Sequence, residues 1–476
     1  MPIRFDNSFA RLNSPFYSRL DPTPVRQPEL VIFNNALAEQ LGLDGIPSEK
    51  LPLYFSGNEK LPGSEPIATV YSGHQFGYYV PQLGDGRAHL LGEILDVQGR
   101  RWDLQLKGSG QTPYSRMGDG RAVLQSTIRE YLCSEAMHAL GIPTTRALCI
   151  TATNEPVYRY TAEPGAILTR VSESLIRFGH FEYFYYTRQH DALKQLADYV
   201  LDRHYPEMSK DQSGYEELFR QAVIKTAGLI AMWQSQGFCH GVMNTDNMSI
   251  IGLTIDYGPF GFLDHFDFNH ICNSSDESGR YAYNRQPAIA FWNLQALAQA
   301  LTPLIPVNQL QNSLAEFEPV FQTCYLLQMR NKLGLFLEEK DDYLLINQLL
   351  SFLHNQSVDY SLFFRWLSDY DSAKKQSTAS GKEFDDWMQE YQQRLLIETT
   401  TKEEREIRMK LANPIYILRN YLATQAIDEA YEQGNYSEIE RLFKLLQCPY
   451  EEQWGNAHYS SLPPDWSKKI CVSCSS

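Results

Sequence analysis

Alternation of apolar and polar positions first takes hold at residues 88–95 (Ala-His-Leu-Leu-Gly-Glu-Ile-Leu) and 102–106 (Trp-Asp-Leu-Gln-Leu). They flank Asp96-Val-Gln-Gly-Arg100, so the pattern predicts two strands joined by a turn. A helix is expected from about Arg121 to Leu140, where Val123, Leu124, Ile128, Tyr131, Leu132 and Met137 form one apolar stripe and Gly141 supplies the stop. Residues 147–152 and 156–160 read as another hairpin, turning at Asn154-Glu155. From about residue 170 the helical period dominates, most clearly over 216–236, which ends at Gly237. Residues 287 to 455 are nearly all helix-like, with amphipathic stretches at Ile289 to Leu301 and Ile415 to Glu432. Upstream of the first strand, residues 1 to 80 are rich in Pro, Asn and aromatics, and their broken periodicity reads as an extended arm with short helices, one over Pro28 to Gln40.

The expectation is an α+β protein in four parts. These are an N-terminal extension (1–80), a small mixed lobe (81–171), a larger lobe holding a catalytic loop (172–300) and a helical C-terminal region (301–476) with a cysteine-containing tail. A chain of 476 residues with 43% hydrophobic and 13% aromatic content buries a large core and is not disordered. A formal net charge of -15 opposes non-specific attraction to nucleic acid or anionic membrane, so neither is an expected partner. The N-terminus lacks a signal-peptide pattern and nothing approaches the ~20 apolar residues of a membrane span, which makes the cytoplasm the expected compartment. Eight scattered cysteines fit reduced thiols better than a disulfide framework.

The segment richest in chemistry is His240-Gly-Val-Met-Asn-Thr-Asp246-Asn247, followed by an apolar stretch and then Asp256-Tyr257-Gly258. A protein kinase places a histidine seven residues before a metal-binding Asn, then delivers the metal-binding Asp of Asp-Phe-Gly on a short hairpin. His240 and Asn247 are seven apart, and Asp256 stands where that Asp belongs. Oxygens from Asn247 and Asp256 suit Mg2+ or Mn2+. Asn and Asp-x-Gly are also ordinary turn residues. What strengthens the kinase-like two-lobed expectation is a second half of the pattern upstream. Lys107 ends a strand, as does the kinase lysine that holds phosphate oxygens, and Glu130 on the following helix is its natural ion-pair partner, with Glu135 as the rival. Otherwise Lys107 is a solvated strand end.

Two departures matter. Where a kinase carries its catalytic Asp, two residues after the histidine, this chain has Val242, which accepts no proton; Asp246 is the nearby carboxylate able to substitute. Gly84-Asp85-Gly86-Arg87 is too short for a kinase Gly-rich loop and ends in a cation suited to phosphate. Arg170 and Arg177, seven apart, share a face if residues 168–178 are helical; the alternative is two surface arginines.

Taken together these residues resemble the selenoprotein O family of kinase-like protein adenylyltransferases. The resemblance spans nearly the whole chain and rests on Tyr71-Ser-Gly-His-Gln-Phe-Gly77, Gly84-Asp-Gly-Arg87, Lys107-Gly-Ser-Gly-Gln-Thr-Pro-Tyr-Ser-Arg116, Gly118-Asp-Gly-Arg121 and His240 to Asn247. It implies that ATP sits reversed relative to kinases, so that AMP passes to a protein hydroxyl and pyrophosphate leaves. It implies that Lys107, Arg170 and Arg177 hold phosphates, that Glu130 orients Lys107, and that Gly84, Gly86, Arg87, Asp119 and Gly120 line the nucleotide site. Asn247 and Asp256 would bind Mg2+ or Mn2+, and Asp246 would be the base. UTP with Mn2+ is an alternative donor, and the implied partners are protein substrates; the chain itself is expected to be a monomer. The competing functions are a kinase-like phosphotransferase and a catalytically inactive nucleotide-binding scaffold.

Family members often carry selenocysteine near the C-terminus, whereas this chain has Cys471-Val-Ser-Cys474. The tail is open to two readings: a redox latch in which Cys474 pairs with another exposed cysteine such as Cys272, or an inert terminus.

Overall fold

The structure is a computed structural model that describes residues 3–12, 14–159, 161–369 and 379–473. Twelve named strands are found among these residues: β1 (Tyr17–Arg19), β2 (Glu29–Phe33), β3 (Ile67–Thr69), β4 (Gly73–Gln75), β5 (Tyr78–Val80), β6 (Ala88–Leu95), β7 (Arg101–Lys107), β8 (Ala122–Val123), β9 (Arg146–Tyr158), β10 (Ala162–Ser172), β11 (Phe238–Cys239) and β12 (Gly261–Phe262). The main sheet runs β1-β3-β6-β7-β10-β9-β2, with β8 pairing β10 off that path, and β4-β5 and β11-β12 form two small hairpin-like pairs. The mixture of one large sheet and many helices agrees with the α+β expectation.

The two strands expected from alternation are β6 and β7, paired antiparallel from Ala88↔Lys107 to Leu95↔Arg101. Leu104 and Leu106 of β7 pack on one side of the sheet with α1 (Asn35–Leu41) and α2 (Leu51–Phe55). Gln105 and Lys107 point to the other side, because successive side chains alternate. There lies α3 (Leu124–Ala139), whose expected stripe residues Leu124, Ile128, Tyr131, Leu132 and Met137 are all buried. Antiparallel pairing sets Arg170 of β10 opposite Gln105 and Leu168 opposite Lys107, so β7 and β10 present Lys107 and Arg170 to the same helix.

Five local expectations need correction. The stretch from Pro28 to Gln40 is not one helix: Leu-Val-Ile-Phe favours β2, and Asn34 then caps α1 by accepting a hydrogen bond from the Leu37 N–H at 3.1 Å. The arm it belongs to is part of the sheet, since β1 and β2 form its two edges. The chain does not turn at Asn154-Glu155; β9 continues to Tyr158 because β10 pairs along it, with a register shift at Pro164/Gly165 absorbing the irregular stretch. Residues 168–178 are not helical: Arg170 lies on β10 and Arg177 is the N-cap of α4 (Phe178–Tyr186). The helix expected from Ile415 begins only at Asn420, after Pro414, while Ile415 N–H donates to the Pro449 carbonyl at 2.7 Å.

The helical half contains α5 (His190–His204), α6 (Gln212–Ser235) and α7 (Gln286–Leu301), followed by helices through Gln447. The largest apolar core joins α3 to α4, α5, α6 and α7, which ties the sheet to the segment from Phe238 to Phe262. No described helix is long and apolar enough to cross a membrane.

Candidate active site

A cavity of about 570 Å3 opens between the sheet, the 114–121 loop and the 240–258 segment. Its walls include Gly84, Gly86, Arg87 and Lys107 on one side, Asp119 and Gly120 at the rim, and Arg170, Arg177, Asp246 and Asp256 at the base. Two positions singled out from sequence lie just behind it. Glu130 is buried on α3, and Asn247 sits in the turn Thr245–Asn247 that follows Asn244.

The base of the cavity is one connected set of charges. Lys107 Nζ donates to Glu130 Oε2 at 2.5 Å and to Asp256 Oδ1 at 3.2 Å. Arg170 donates to Glu130 Oε1 from Nε at 2.9 Å and to Asp256 Oδ1 from Nη2 at 2.6 Å. Arg177 Nη1 reaches Asp256 Oδ2 at 2.5 Å and the Asp246 carbonyl at 2.8 Å, with its guanidinium over the Tyr71 ring. The rival carboxylate, Glu135, is committed elsewhere: it accepts from Arg146 at 2.7 and 2.8 Å and from the Ala147 N–H at 2.9 Å. Glu130 is therefore the partner of Lys107.

Burial by itself would raise the Asp256 carboxyl, yet Arg177, Lys107 and Arg170 outweigh it and hold the group well below the usual carboxylate range. Glu130 is likewise lowered, burial being overcome by Arg170 and Lys107. Burial lowers Lys107, against the pull of Glu130 and Asp256. Asp246 is the opposite case. Burial pushes it up to about 7, because Arg177 and Gln75 compensate only in part. Two carboxyls in one cavity thus have environments that drive them apart, as acid–base sites require. Asp256 also adopts φ +60°, an uncommon conformation for a residue other than glycine and a local strain found at functional sites.

The 240–258 segment is positioned by its own apolar residues. His240 is buried against Trp233 and hydrogen-bonds through Nε2 to the Ile255 carbonyl at 3.0 Å, which ties the loop before Asp246 to the strand-like residues before Asp256. An antiparallel bridge Met248↔Thr254 closes the short hairpin between Asn247 and Asp256.

The family described as Protein adenylyltransferase SelO matches the chain over residues 1–447. A protein nucleotidyltransferase YdiU of Pseudomonas paraeruginosa is 52% identical over 484 residues, covering 100% of this chain and 99% of that relative. Those of Pseudomonas aeruginosa and Pseudomonas putida are each 51% identical, over 483 and 482 residues, with the same coverage. The chain belongs to the SelO family.

In this SelO-family chain the donor set suits a hard divalent cation. Asn247 donates its amide N–H to the Val242 carbonyl at 3.0 Å, which leaves the amide oxygen to act as a ligand. Asp256 adds carboxylate oxygens from a side chain 25% exposed to the cavity. Among the described residues no group of three or more His, Cys, Asp or Glu could hold a metal.

Some residues of the site escaped the sequence reading. Asp85, between the two predicted glycines, accepts from the Thr69 N–H and hydroxyl at 2.9 and 2.6 Å and so pins the Gly84–Arg87 loop to β3. Arg159 holds Asp119 at 2.8 Å, although the two are far apart in sequence. Gln75 donates to Asp246 Oδ2 at 3.2 Å; its only sequence signal was membership of the Tyr71–Gly77 run.

The redox latch is not supported at its proposed partner. Cys272 is buried, its thiol donating to the Cys239 carbonyl at 3.4 Å, and Cys474 lies outside the described residues. The tail just before it is docked, since Val472 is buried and its carbonyl accepts from the Ser274 N–H at 2.9 Å.

Proposed function

We propose that this SelO-family chain transfers AMP from ATP to a hydroxyl side chain of a protein, releasing pyrophosphate, in a kinase-like two-lobed fold. Residues 81–171 form the small lobe and 172–300 the large lobe, with 1–80 and 301–476 as N- and C-terminal additions, acting in the cytoplasm as a monomer. The observation that carries the reading is the meeting, in one cavity, of Arg87, Lys107, Arg170 and Arg177 with two carboxylates of opposite character, Asp246 and Asp256.

Lys107, Arg170, Arg177 and Arg87 would hold the phosphates by charge-assisted hydrogen bonds, and Glu130 would keep Lys107 aimed. Arg170 and Arg177 gather on Asp256; phosphate oxygens would compete with that carboxylate for the same N–H groups. A Mg2+ or Mn2+ held by Asn247 and Asp256 would neutralise phosphate charge. Asp246 would accept the proton of the acceptor hydroxyl, whose oxygen attacks the α-phosphorus. The bond from that phosphorus to the bridging oxygen of the β-phosphate breaks, and pyrophosphate carries the electron pair away. With Val242 where a kinase carries its base, the raised Asp246 carboxyl is the group left for that proton.

The test is incubation of the protein with candidate protein acceptors, Mg2+ or Mn2+, and ATP labelled at the α- or γ-phosphate, with UTP run in parallel and the acceptors read by mass spectrometry. Retention of the α-label with added nucleotide mass is expected. Retention of the γ-label would establish a phosphotransferase, and ATP binding without any transfer would establish a scaffold.

A further inference from the structure

The hairpin β4–β5 has no counterpart in the chemistry assigned so far, yet it lies directly on the turn carrying Asp246. Backbone N–H groups fasten it there and to Tyr281. The His74 N–H donates to Thr245 Oγ1 at 2.7 Å, and the Phe76 N–H donates to the Tyr281 hydroxyl at 2.9 Å and to Asn244 Oδ1 at 3.2 Å. The Tyr281 hydroxyl in turn donates to Asn244 Oδ1 at 2.6 Å. From α4, Glu182 holds the His74 ring at 2.7 Å.

The approach is close enough to require glycine. A Cβ on Gly73 would stand 2.7 Å from Asp246 Oδ1 and 3.0 Å from its Cβ, although Gly73 is not in the left-handed region. Ser72 is held from the far side, its N–H donating to the Gly179 carbonyl at 3.1 Å. Asp246 is 7% exposed, and its Oδ1 is buried without a hydrogen-bond partner. Its other oxygen, Oδ2, accepts from one side chain, that of Gln75, and both residues line the cavity.

We propose that Gln75 is a positioning residue for Asp246: its amide fixes the rotation of the carboxylate that receives the acceptor proton, and the hairpin beneath excludes water from that carboxylate. This rests on the reading of Asp246 as the base. A carboxylate held by one hydrogen bond is aimed only as well as that bond is kept, and loss of alignment slows the chemical step without weakening nucleotide binding elsewhere in the cavity. Gln75 touches neither the reacting hydroxyl nor a phosphate in this role.

The experiment uses the full chain and α-labelled ATP with a protein acceptor, comparing Gln75→Met, which keeps length and removes the donor, with Asp246→Asn and the double variant. Gln75→Met is expected to lower kcat roughly 10- to 100-fold at unchanged KM for ATP. In the Asp246→Asn background it should cost nothing further, because there is no carboxylate left to aim. ATP binding and a thermal melt are followed for each protein; should Gln75→Met lose ATP binding, Gln75→Glu, which reverses the polarity at the same place, is expected to show the same pattern. Full kcat in Gln75→Met beside a slow Asp246→Asn would overturn this proposal alone, as would an equal loss in both backgrounds. Full activity of Asp246→Asn would overturn the assignment of the base and this proposal with it.

Discussion

Arg177 donates to Asp256 at 2.5 Å, so a cation suited to phosphate and a carboxylate suited to metal each occupy the other's binding groups. In the proposed reaction, phosphate and metal would part them. Replacing Asp256 by alanine should therefore abolish nucleotide transfer and remove the metal-dependent part of ATP binding. Calorimetric titration with ATP, with and without Mg2+ or Mn2+, checks this; equal binding curves in the two proteins would refute the metal role of Asp256.

Asp246→Asn keeps the shape of the side chain and removes its basicity. Transfer at saturating ATP should fall by about 10²–10⁴, the usual worth of a positioned base, while ATP affinity stays the same. Steady-state rates alongside a direct binding measurement separate the two effects.

Much of the site was legible because its residues come in runs with fixed spacing. Lys107 at a strand end and Glu130 within the expected helix follow from local periodicity, and Asn247 from motif spacing, and the structure sets Lys107 at the end of β7, Glu130 on α3 and Asn247 in the turn after Asn244. What local pattern did not carry was pairing between distant segments. Arg170 and Arg177 were placed on a helix because their interval fits one, yet β10 pairs with both β7 and β9, and that pairing overrides the local period. The turn signal at Asn154-Glu155 lost for the same reason. Gln75 and Arg159 act through partners across the fold, Asp246 and Asp119, which no local pattern reveals.

Glu130 lies between Lys107 and Arg170; Glu130 and Arg170 are buried and Lys107 is partly buried. Glu130→Ala would leave Lys107 and Arg170 to share Asp256 with Arg177, and breaking a buried pair in this way costs about 3–5 kcal/mol. Urea unfolding should show the loss, with transfer falling in step because Lys107 is no longer aimed.

Lys332 is buried with no carboxylate partner among the described residues, its ammonium resting over the rings of Phe364 and Tyr360 at 5.0 and 5.6 Å and reaching Gln236 Oε1 at 3.4 Å. Burial lowers it to about 7. Between that value and its ordinary value of 10.5, the unfolded chain binds a proton that the folded chain does not, so this lysine's unfavourable contribution is full below pH 7 and fades as pH rises to 10.5. Lys332→Met should raise the melting temperature at pH 6 to 7 and change it little near pH 10; an equal shift at both would contradict the assignment.

Gly73→Ala tests the close approach of the hairpin. The added methyl would meet Asp246 Oδ1 at 2.7 Å, so transfer should drop even though the backbone angle at Gly73 suits alanine. A melting curve compared with the rate distinguishes local displacement from unfolding.

The opening stretch of the chain supplies both outer borders of the sheet, and one of them, residues 29–33, pairs with residues made more than a hundred positions later. During synthesis that early segment has to wait for its mate to leave the ribosome, with a row of amide groups uncommitted in the meantime. A fragment starting near residue 81 would inherit the same bare rims permanently, and would be expected to stick to its own copies in solution.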